Sequence, residues 1–336
     1  MTSQMQPTTA PATAPEVDEA AGITVEARTQ GQMIRRRFIR HRAALAGLIT
    51  LAFVIVLSIS SIGIDPPLLP KIPGWWDKDF TAIGAVVDGG SPTLSVVPTF
   101  LGGEGVQLGE HPFGQDNIGR DYFALTMRGA QISLMIAFIV GIVATLAGTL
   151  IGALAGFFRG WAEAVLMRLT DVVIAIPLLA IAAVISRRAG EIGPPVMAVG
   201  LGLVIWTSLA RLVRGEILAI REKEFVEAAR AAGTRASRII VRHILPNLIG
   251  VIIVSATLTI AVAILLETAL SFLGIGVQAP DTSLGRLISE YQSAFTTRPW
   301  LFWWPGIFII TIALAVNFIG DGLRDAFDPR QQRVRE

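Results

Sequence analysis

The sequence predicts an all-α protein that crosses a membrane several times as a bundle of helices. Hydrophobic residues make up 52% of the 336 residues and charged residues only 16%, whereas soluble domains carry about 25% charged residues. Several apolar runs reach the ~20 residues that a helix needs to span a bilayer. One bundle of membrane helices therefore accounts for the composition better than two soluble domains.

Six apolar runs are predicted to form the spanning helices, and they divide the chain. The third is short and carries Pro177, which a membrane helix tolerates where its neighbours satisfy the freed carbonyl. The runs leave a long external loop at 64–131, a five-helix core at 132–320 and a C-terminal segment at 321–336. The six predicted spans are 43–63, 132–158, 171–186, 196–214, 248–271 and 302–320.

The region before the first span has two parts. Residues 1–27 are rich in Thr, Pro and Ala and lack the apolar content that packing needs, so we expect disorder. The tail also lacks the basic start and apolar core of a signal peptide. Residues 28–42 form a basic segment that leads directly into the first span.

The distribution of basic residues predicts the orientation. Placing the N-terminus inside puts most of the 28 Lys and Arg residues on the cytoplasmic side, which the positive-inside rule favours. Arg187 and Arg188, in the second external loop, are a local exception. Both termini are therefore predicted to be cytoplasmic.

The residues that carry most enzyme chemistry are absent or scattered. No cysteine is present, and the three histidines lie in separate segments. Gly114 to Asp121 has the glycine spacing of a phosphate-binding P-loop but lacks its Lys and its Ser or Thr. The net charge of +2 is too mild to indicate nucleic acid. We therefore expect no catalytic residues, no metal and no cofactor bound by this chain.

Glycines recur every fourth residue in the second span, at Gly148, Gly152, Gly156 and Gly160. On a helix this spacing lines one face with bare backbone and lets a second helix approach closely. The pattern predicts a tightly packed partner helix, either within the chain or in another subunit.

The loop between the fourth and fifth spans, residues 215–247, has the pattern of two helices joined by a turn. From Glu222 to Ala232 nearly all residues are strong helix formers, and Gly233 follows where a left-handed cap belongs. A basic stretch then leads to Pro246, a natural stop before the next span. We expect a short surface helix, a turn and a second helix entering the membrane. An amphipathic helix on lipid headgroups would fit these features equally well.

Six residues of this loop follow a recognisable spacing: Glu227, Ala228, Ala229, Gly233, Leu245 and Pro246. The spacing resembles the EAA loop of bacterial ABC importers that depend on a binding protein. That loop reads E-A-A, three residues, G, nine residues, I, one residue and L-P. Only the Ile position differs, because it is His243 here. The resemblance implies that the helix docks on an ATPase subunit, anchored by the glutamate, with the alanines permitting close approach.

Three further stretches resemble dipeptide, oligopeptide and nickel permeases, and in particular their C-type subunit. They precede the second span, follow the fifth span and end the chain, in the order that those permeases show. The matching residues are HPFG at 111–114 with GRD at 119–121 and ISL at 132–134, SFLG at 271–274 with GVQ at 276–278, and GDGLRD at 320–325 with DP at 328–329.

This resemblance implies a type I ABC importer permease in the bacterial cell membrane, surrounded by lipid. Its expected partners are a second homologous permease subunit, two ABC ATPase subunits that use ATP and Mg²⁺, and an extracytoplasmic substrate-binding protein. Small peptides are the expected cargo, with nickel complexes, haem or another small solute as alternatives. An ion-coupled secondary transporter is the rival from another class, and it should show mid-membrane ionisable residues and an internal repeat.

Glu267 is the one acidic residue within an apolar run. A charge at that depth is costly and by default indicates function. Glu267 is therefore a candidate for the translocation path or the external gate. The alternative is a position near the outer headgroups, paired with Arg286 or with a partner subunit.

Overall fold

The computed structural model describes residues 30–64, 70, 72–95, 105, 107–190 and 192–327. These residues form twelve α-helices and one antiparallel hairpin in which Gly63 pairs with Pro73. The predicted disordered tail, 1–27, lies outside them. The elements are α1 (Gln30–Arg40), α2 (Arg42–Ile62), β1 (Gly63–Ile64), β2 (Ile72–Pro73), α3 (Tyr122–Phe158), α4 (Gly160–Ala175), α5 (Leu178–Gly190), α6 (Pro194–Ile205), α7 (Thr207–Ile220), α8 (Glu224–Ala231), α9 (Ala236–Ile239), α10 (Leu245–Phe272), α11 (Leu284–Tyr291) and α12 (Trp300–Phe327).

Four of the described helices are long and apolar enough to cross a membrane. They are α2, α3, α12 and the continuous stretch Ala236–Phe272, which contains α9 and α10. The pairs α4–α5 and α6–α7 pass the same test as bent spans, which brings the number to six. The predicted all-α bundle with six spans is confirmed on that count. The orientation of the termini stays a prediction.

The third span differs from its prediction, because 171–186 is not one straight helix. The chain bends by 87° between α4 and α5, at Ile176 and Pro177. Proline disfavours the helical conformation of the residue before it, and Ile176 is extended, with φ −81° and ψ 130°. The proline that we expected neighbouring helices to accommodate in fact breaks the span in two. The fourth span also bends, by 44° between α6 and α7.

The second span begins ten residues earlier than predicted, at Tyr122 instead of residue 132. Asp121 precedes it in an extended conformation, and its carboxylate accepts a hydrogen bond from the Ala124 amide at 2.8 Å. A carboxylate at this position satisfies a free amide of the first turn and complements the helix dipole. The predicted external loop, 64–131, is therefore shorter at its C-terminal end.

Three glycines on one face of α3 (the glycine stripe) pack against α7. The predicted close approach of a partner helix is therefore confirmed. A Cβ added to Gly148, Gly152 or Gly156 would lie 2.8, 2.5 and 2.9 Å from the carbonyl oxygens of residues 206, 210 and 214, respectively. Gly160 does not belong to this contact. It lies beyond the end of α3 with φ +62° and no atom near its Cβ position, so it serves the turn into α4.

Helix α3 is the centre of the bundle and contacts α2, α6, α7 and α10. The larger core cluster lies around α3, α10, α11 and α12, near the end of the bundle that carries α11 (the α11 end). A second cluster joins α3, α7, α9 and α10 at the end that carries α8 (the α8 end). The two ends therefore have separate cores linked by the long helices.

Candidate coupling site

Helix α8 lies on the surface with one fully buried side chain. Val226 is 0% exposed and belongs to the α8-end cluster, which also contains Phe157 of α3 and Ile217 of α7. Burial of a valine stabilises the docked helix by about 2 kcal/mol. Glu227 and Ala228 lie on the exposed side, and no described residue pairs with the Glu227 carboxylate. The helix is thus held by one face and open on the other.

The turn after α8 has the predicted left-handed glycine. Gly233 has φ +75°, and its amide donates to the Arg230 carbonyl at 2.9 Å. The Thr234 amide donates to the Ala229 carbonyl at 3.0 Å. These bonds are those of a Schellman-type cap. Since no atom lies within 4 Å of a Cβ at Gly233, the position needs glycine for its backbone conformation and not for space.

Arginines tie α8 to the end of α3. Arg221, just after α7, donates to the Phe157 carbonyl at 2.6 Å, and Arg159 forms an ion pair with Glu222 at 3.0 Å. The guanidinium of Arg230 lies 5.1 Å from the centre of the Phe157 ring. Cations suit the free carbonyls at a helix C-terminus. Arg221 is not among the residues predicted from the sequence, although a basic residue directly after a helix is a signal for such a contact.

Leu245 and Pro246 lie apart from α8, on the first turn of α10. Leu245 is partly buried against the α8-end cluster, whereas Pro246 is exposed. The sequence predicted that Pro246 would stop the helix, and this prediction is wrong. The chain forms one π-helical turn over Ile240–Ile244, with the Leu245 amide bonded to the Ile240 carbonyl, and helix continues to Phe272. The wider π turn accommodates a residue that lacks an amide donor.

Glu267 is fully enclosed within this subunit. Its carboxylate accepts hydrogen bonds from Ser133 of α3 at 2.9 Å and from Ser271 of α10 at 2.7 Å. Ser133 also accepts from the Leu284 amide at 3.2 Å, and Ser271 lies 3.2 Å from the Ser283 hydroxyl that caps α11. Glu267 is therefore the centre of a hydroxyl cluster where α3, α10 and α11 meet.

The alternative interpretation expected Arg286 to pair with Glu267, but the two side chains do not pair. Its guanidinium instead donates to the carbonyls of Val277 and Asp281, at 3.3 and 3.1 Å, and lies 3.9 Å from Glu290. Which side of the membrane α11 faces stays a prediction.

The segment before α3 forms a cap on the α11 end. Asp116 accepts from Arg120 at 2.5 Å and from the Tyr291 hydroxyl of α11 at 2.9 Å. Burial raises the pKa of Tyr291 well above its ordinary value, helped by the carboxylates of Glu290 and Asp116, so the phenol stays protonated and donates. The glycine spacing that resembled a P-loop therefore belongs to a segment that forms hydrogen bonds with α11 of the same chain.

A groove of about 570 Å³ lies where the two bent spans meet α10. Its walls are mostly apolar, with a few hydroxyl groups. Interrupted helices at membrane depth are tolerated where they are buried in protein or line a water-filled cavity, and the bends border this groove. The hydroxyl-bearing residues are Thr207, Ser208, Ser255 and Thr259.

Comparison with known families agrees with these features. Residues 148–333 match the family model of the binding-protein-dependent transport system inner membrane component. Residues 29–72 match the model of the N-terminal transmembrane domain of oligopeptide transport permease C. The loop 215–247 lies within the first match, and α1 and α2 lie within the second.

Curated relatives align over nearly the whole chain. The oligopeptide transport system permease protein OppC of Mycobacterium tuberculosis is 36% identical over 307 residues, which are 90% of this chain and 96% of that protein. OppC of Escherichia coli is 37% identical over 310 residues, covering 92% and 94%.

A solved structure shares the fold. The MetNI methionine ABC transporter, in an inward-facing conformation, matches with a TM-score of 0.51 and 19% identity, over 61% of this chain and 97% of the other. At this identity the likeness shows a common helical architecture and not a common substrate. Together, the family models and the relatives show that this chain belongs to the family of binding-protein-dependent ABC importer permeases of the bacterial inner membrane, in its OppC group.

Proposed function

We propose that this chain is the C-type permease of an ATP-driven importer for di- and oligopeptides, which an extracytoplasmic binding protein delivers. The observation that carries the proposal is α8, a helix anchored by Val226 and open along its Glu227 face. The relatives are named for oligopeptide transport, which favours peptide cargo over nickel complexes or haem. An ion-coupled transporter would have no need of an open surface helix tied to its core.

In this proposal, α8 transmits the movement of an ATPase subunit to the spans. Arg221 and Val226 join α8 to α3 and α7, so a displacement of α8 moves those helices as one body. Rocking of helix bundles is an established way to alternate access. The chain itself carries out no catalysis, and two separate ATPase subunits use ATP and Mg²⁺.

The groove beside the bent spans supplies this subunit's half of the path, and the second homologous permease closes it from the other side. Its mixture of apolar walls and hydroxyl groups suits solutes of varied side chains. A path that holds its cargo by few directional bonds also lets it leave. Specificity then resides mainly in the binding protein.

Glu267 has a positioning role in this proposal. Its carboxylate is enclosed, and through Ser133 and Ser271 it fixes the start of α11 against α3 and α10. Helix α11 lies between the last two spans, at the end of the bundle predicted to be external. Glu267 therefore acts on the external gate through α11 and does not touch the solute.

Replacing Glu267 with alanine is expected to loosen α11. The serine hydroxyls lose their shared acceptor, and unsatisfied buried groups cost about 1–3 kcal/mol. Since the chain has no native cysteine, a single Leu287→Cys, at a position 1% exposed in α11, reports opening by maleimide labelling. Labelling should accelerate about tenfold in the alanine variant and less in Glu267→Gln.

The matched control for that experiment is Ile217→Cys, which is 0% exposed at the α8 end. Labelling there should not change in the Glu267→Ala background. An equal acceleration at both positions would mean general unfolding, and an unchanged rate at position 287 would refute the positioning role.

The proposed function is tested by purifying the tagged chain from its native membrane in mild detergent. Co-elution of a second permease and an ATPase is expected, and after reconstitution with the binding protein, ATP should drive uptake of labelled di- and oligopeptides. Nickel complexes and haem serve as competing cargoes. Uptake that needs an ion gradient and no ATP would overturn the importer assignment, and ATP-driven uptake of another cargo would overturn only the peptide assignment.

A further inference from the structure

Helix α1 carries an unusual concentration of positive charge. Arginines occupy positions 35, 36, 37 and 40, and Arg42 opens α2. Residues 30–64 contain no Asp or Glu at all. Arg35, Arg36, Arg40 and Arg42 are exposed and have no acidic partner within the part of the chain that the structure describes. The described part of the chain therefore supplies no acidic side chain that balances these four charges.

His41 fixes the position of α1 relative to the spanning helix α2. The backbone leaves the helical conformation there, with φ −80° and ψ 98°, and the spanning helix α2 begins at the next residue. The imidazole Nδ1 accepts from the Ala44 amide at 3.1 Å, and Nε2 lies 3.3 Å from the Asp325 carboxylate of α12. These contacts hold α1 beside the ends of α2 and α12.

The apolar side chains of α1 are divided between the protein and its surroundings. Ile34 and Phe38, one helical turn apart, are partly buried, and α1 contacts α12. Met33 and Ile39 are 36% and 51% exposed beside the arginines. The exposed apolar side chains are unfavourable in water, and together with the neighbouring cations they suit the headgroup layer of a membrane.

We propose that α1 is a docking surface for the phosphates of anionic phospholipids in the leaflet that surrounds the α8 end. The guanidinium groups bind phosphate oxygens, and Met33 and Ile39 enter the upper acyl region. Charge complementarity selects this occupant, because a basic segment directly next to a span attracts anionic lipid. A guanidinium group can also donate two parallel N–H hydrogen bonds to the oxygens of one phosphate. This inference does not depend on the cargo or on the ATPase partners.

The test places a fluorophore on α1 and measures energy transfer to lipid. Gly31→Cys labels an open position of the cysteine-free full chain, which is reconstituted in nanodiscs of phosphatidylcholine and phosphatidylglycerol. Transfer to a dye-tagged phosphatidylglycerol is compared with transfer to an identically tagged phosphatidylcholine. We expect local enrichment of the anionic lipid, and a loss of about tenfold in this enrichment in Arg35→Gln/Arg36→Gln.

The last turn of α5 offers a matched control. Arg187 and Arg188 are also an adjacent exposed pair, and Arg187→Gln/Arg188→Gln should leave the enrichment at the Gly31→Cys label unchanged. High salt should abolish the enrichment in the parent chain, which tests the same charges without a substitution. Equal transfer to both lipids in the parent chain, or the same loss from both arginine pairs, would overturn the proposal.

Discussion

Replacing Gly233 with valine, or Glu227 with alanine, is expected to abolish solute uptake while the subunit still inserts in the membrane. At Gly233 a β-branched residue would have to adopt φ +75°, at a cost of about 1–3 kcal/mol. The turn would shift and α8 would lose its orientation. At Glu227 the exposed carboxylate that we propose as the anchor for the ATPase is removed. ATP-driven uptake and retention of the ATPase during purification are the two measurements.

Two glycine variants separate coupling from general strain. Gly233→Asn should retain most uptake, because asparagine tolerates the left-handed conformation. Gly274 ends α10 with the same φ of +75° and the same pattern of cap hydrogen bonds, so Gly274→Val introduces equal strain at the α11 end. That variant should keep its ATPase. Full uptake by both Gly233→Val and Glu227→Ala would refute the coupling role of α8.

The α8 turn could be predicted from sequence because its signals are local. A run of helix formers followed by Gly233 specifies helix and cap within about ten residues, and both are present. The π turn before Pro246 could not be predicted in the same way. Proline forbids the usual hydrogen bond, but whether the chain stops or widens its helix depends on the packing of the long helix that follows.

The broken third span and the enclosure of Glu267 also depend on tertiary structure. Pro177 is compatible with a mild kink or with a complete break of the helix. The local sequence does not distinguish between these two outcomes. Glu267 was recognised as costly at its depth. Its partner Ser133 lies 134 residues before it, and Ser283, which bonds to its other partner Ser271, caps a separate helix. Hydropathy alone therefore gave no indication of the hydroxyl cluster.

Gly152→Leu is expected to prevent the subunit from folding, which is the largest structural effect among these predictions. The new Cβ would lie 2.5 Å from the Ala210 carbonyl oxygen and 2.8 Å from the Val213 Cβ. The first of these contacts is with backbone, so α3 and α7 would have to separate. Overpacking costs about 1–3 kcal/mol for added methylenes, and separation also removes the contacts of Gly148 and Gly156. The amount of monodisperse protein after mild heating in detergent measures the effect.

Gly215→Leu is the control, because it puts the same side chain on the partner helix of the same interface. Gly215 is an exposed residue of α7 with no atom within 4 Å of its Cβ position. A leucine there replaces a residue of poor helix propensity without a clash, so its stability should equal or exceed that of the parent chain. If both variants lost the same stability, helix propensity or lipid contact would determine the stability at these positions. The proposal that the glycine stripe serves the close α3–α7 contact would then be wrong.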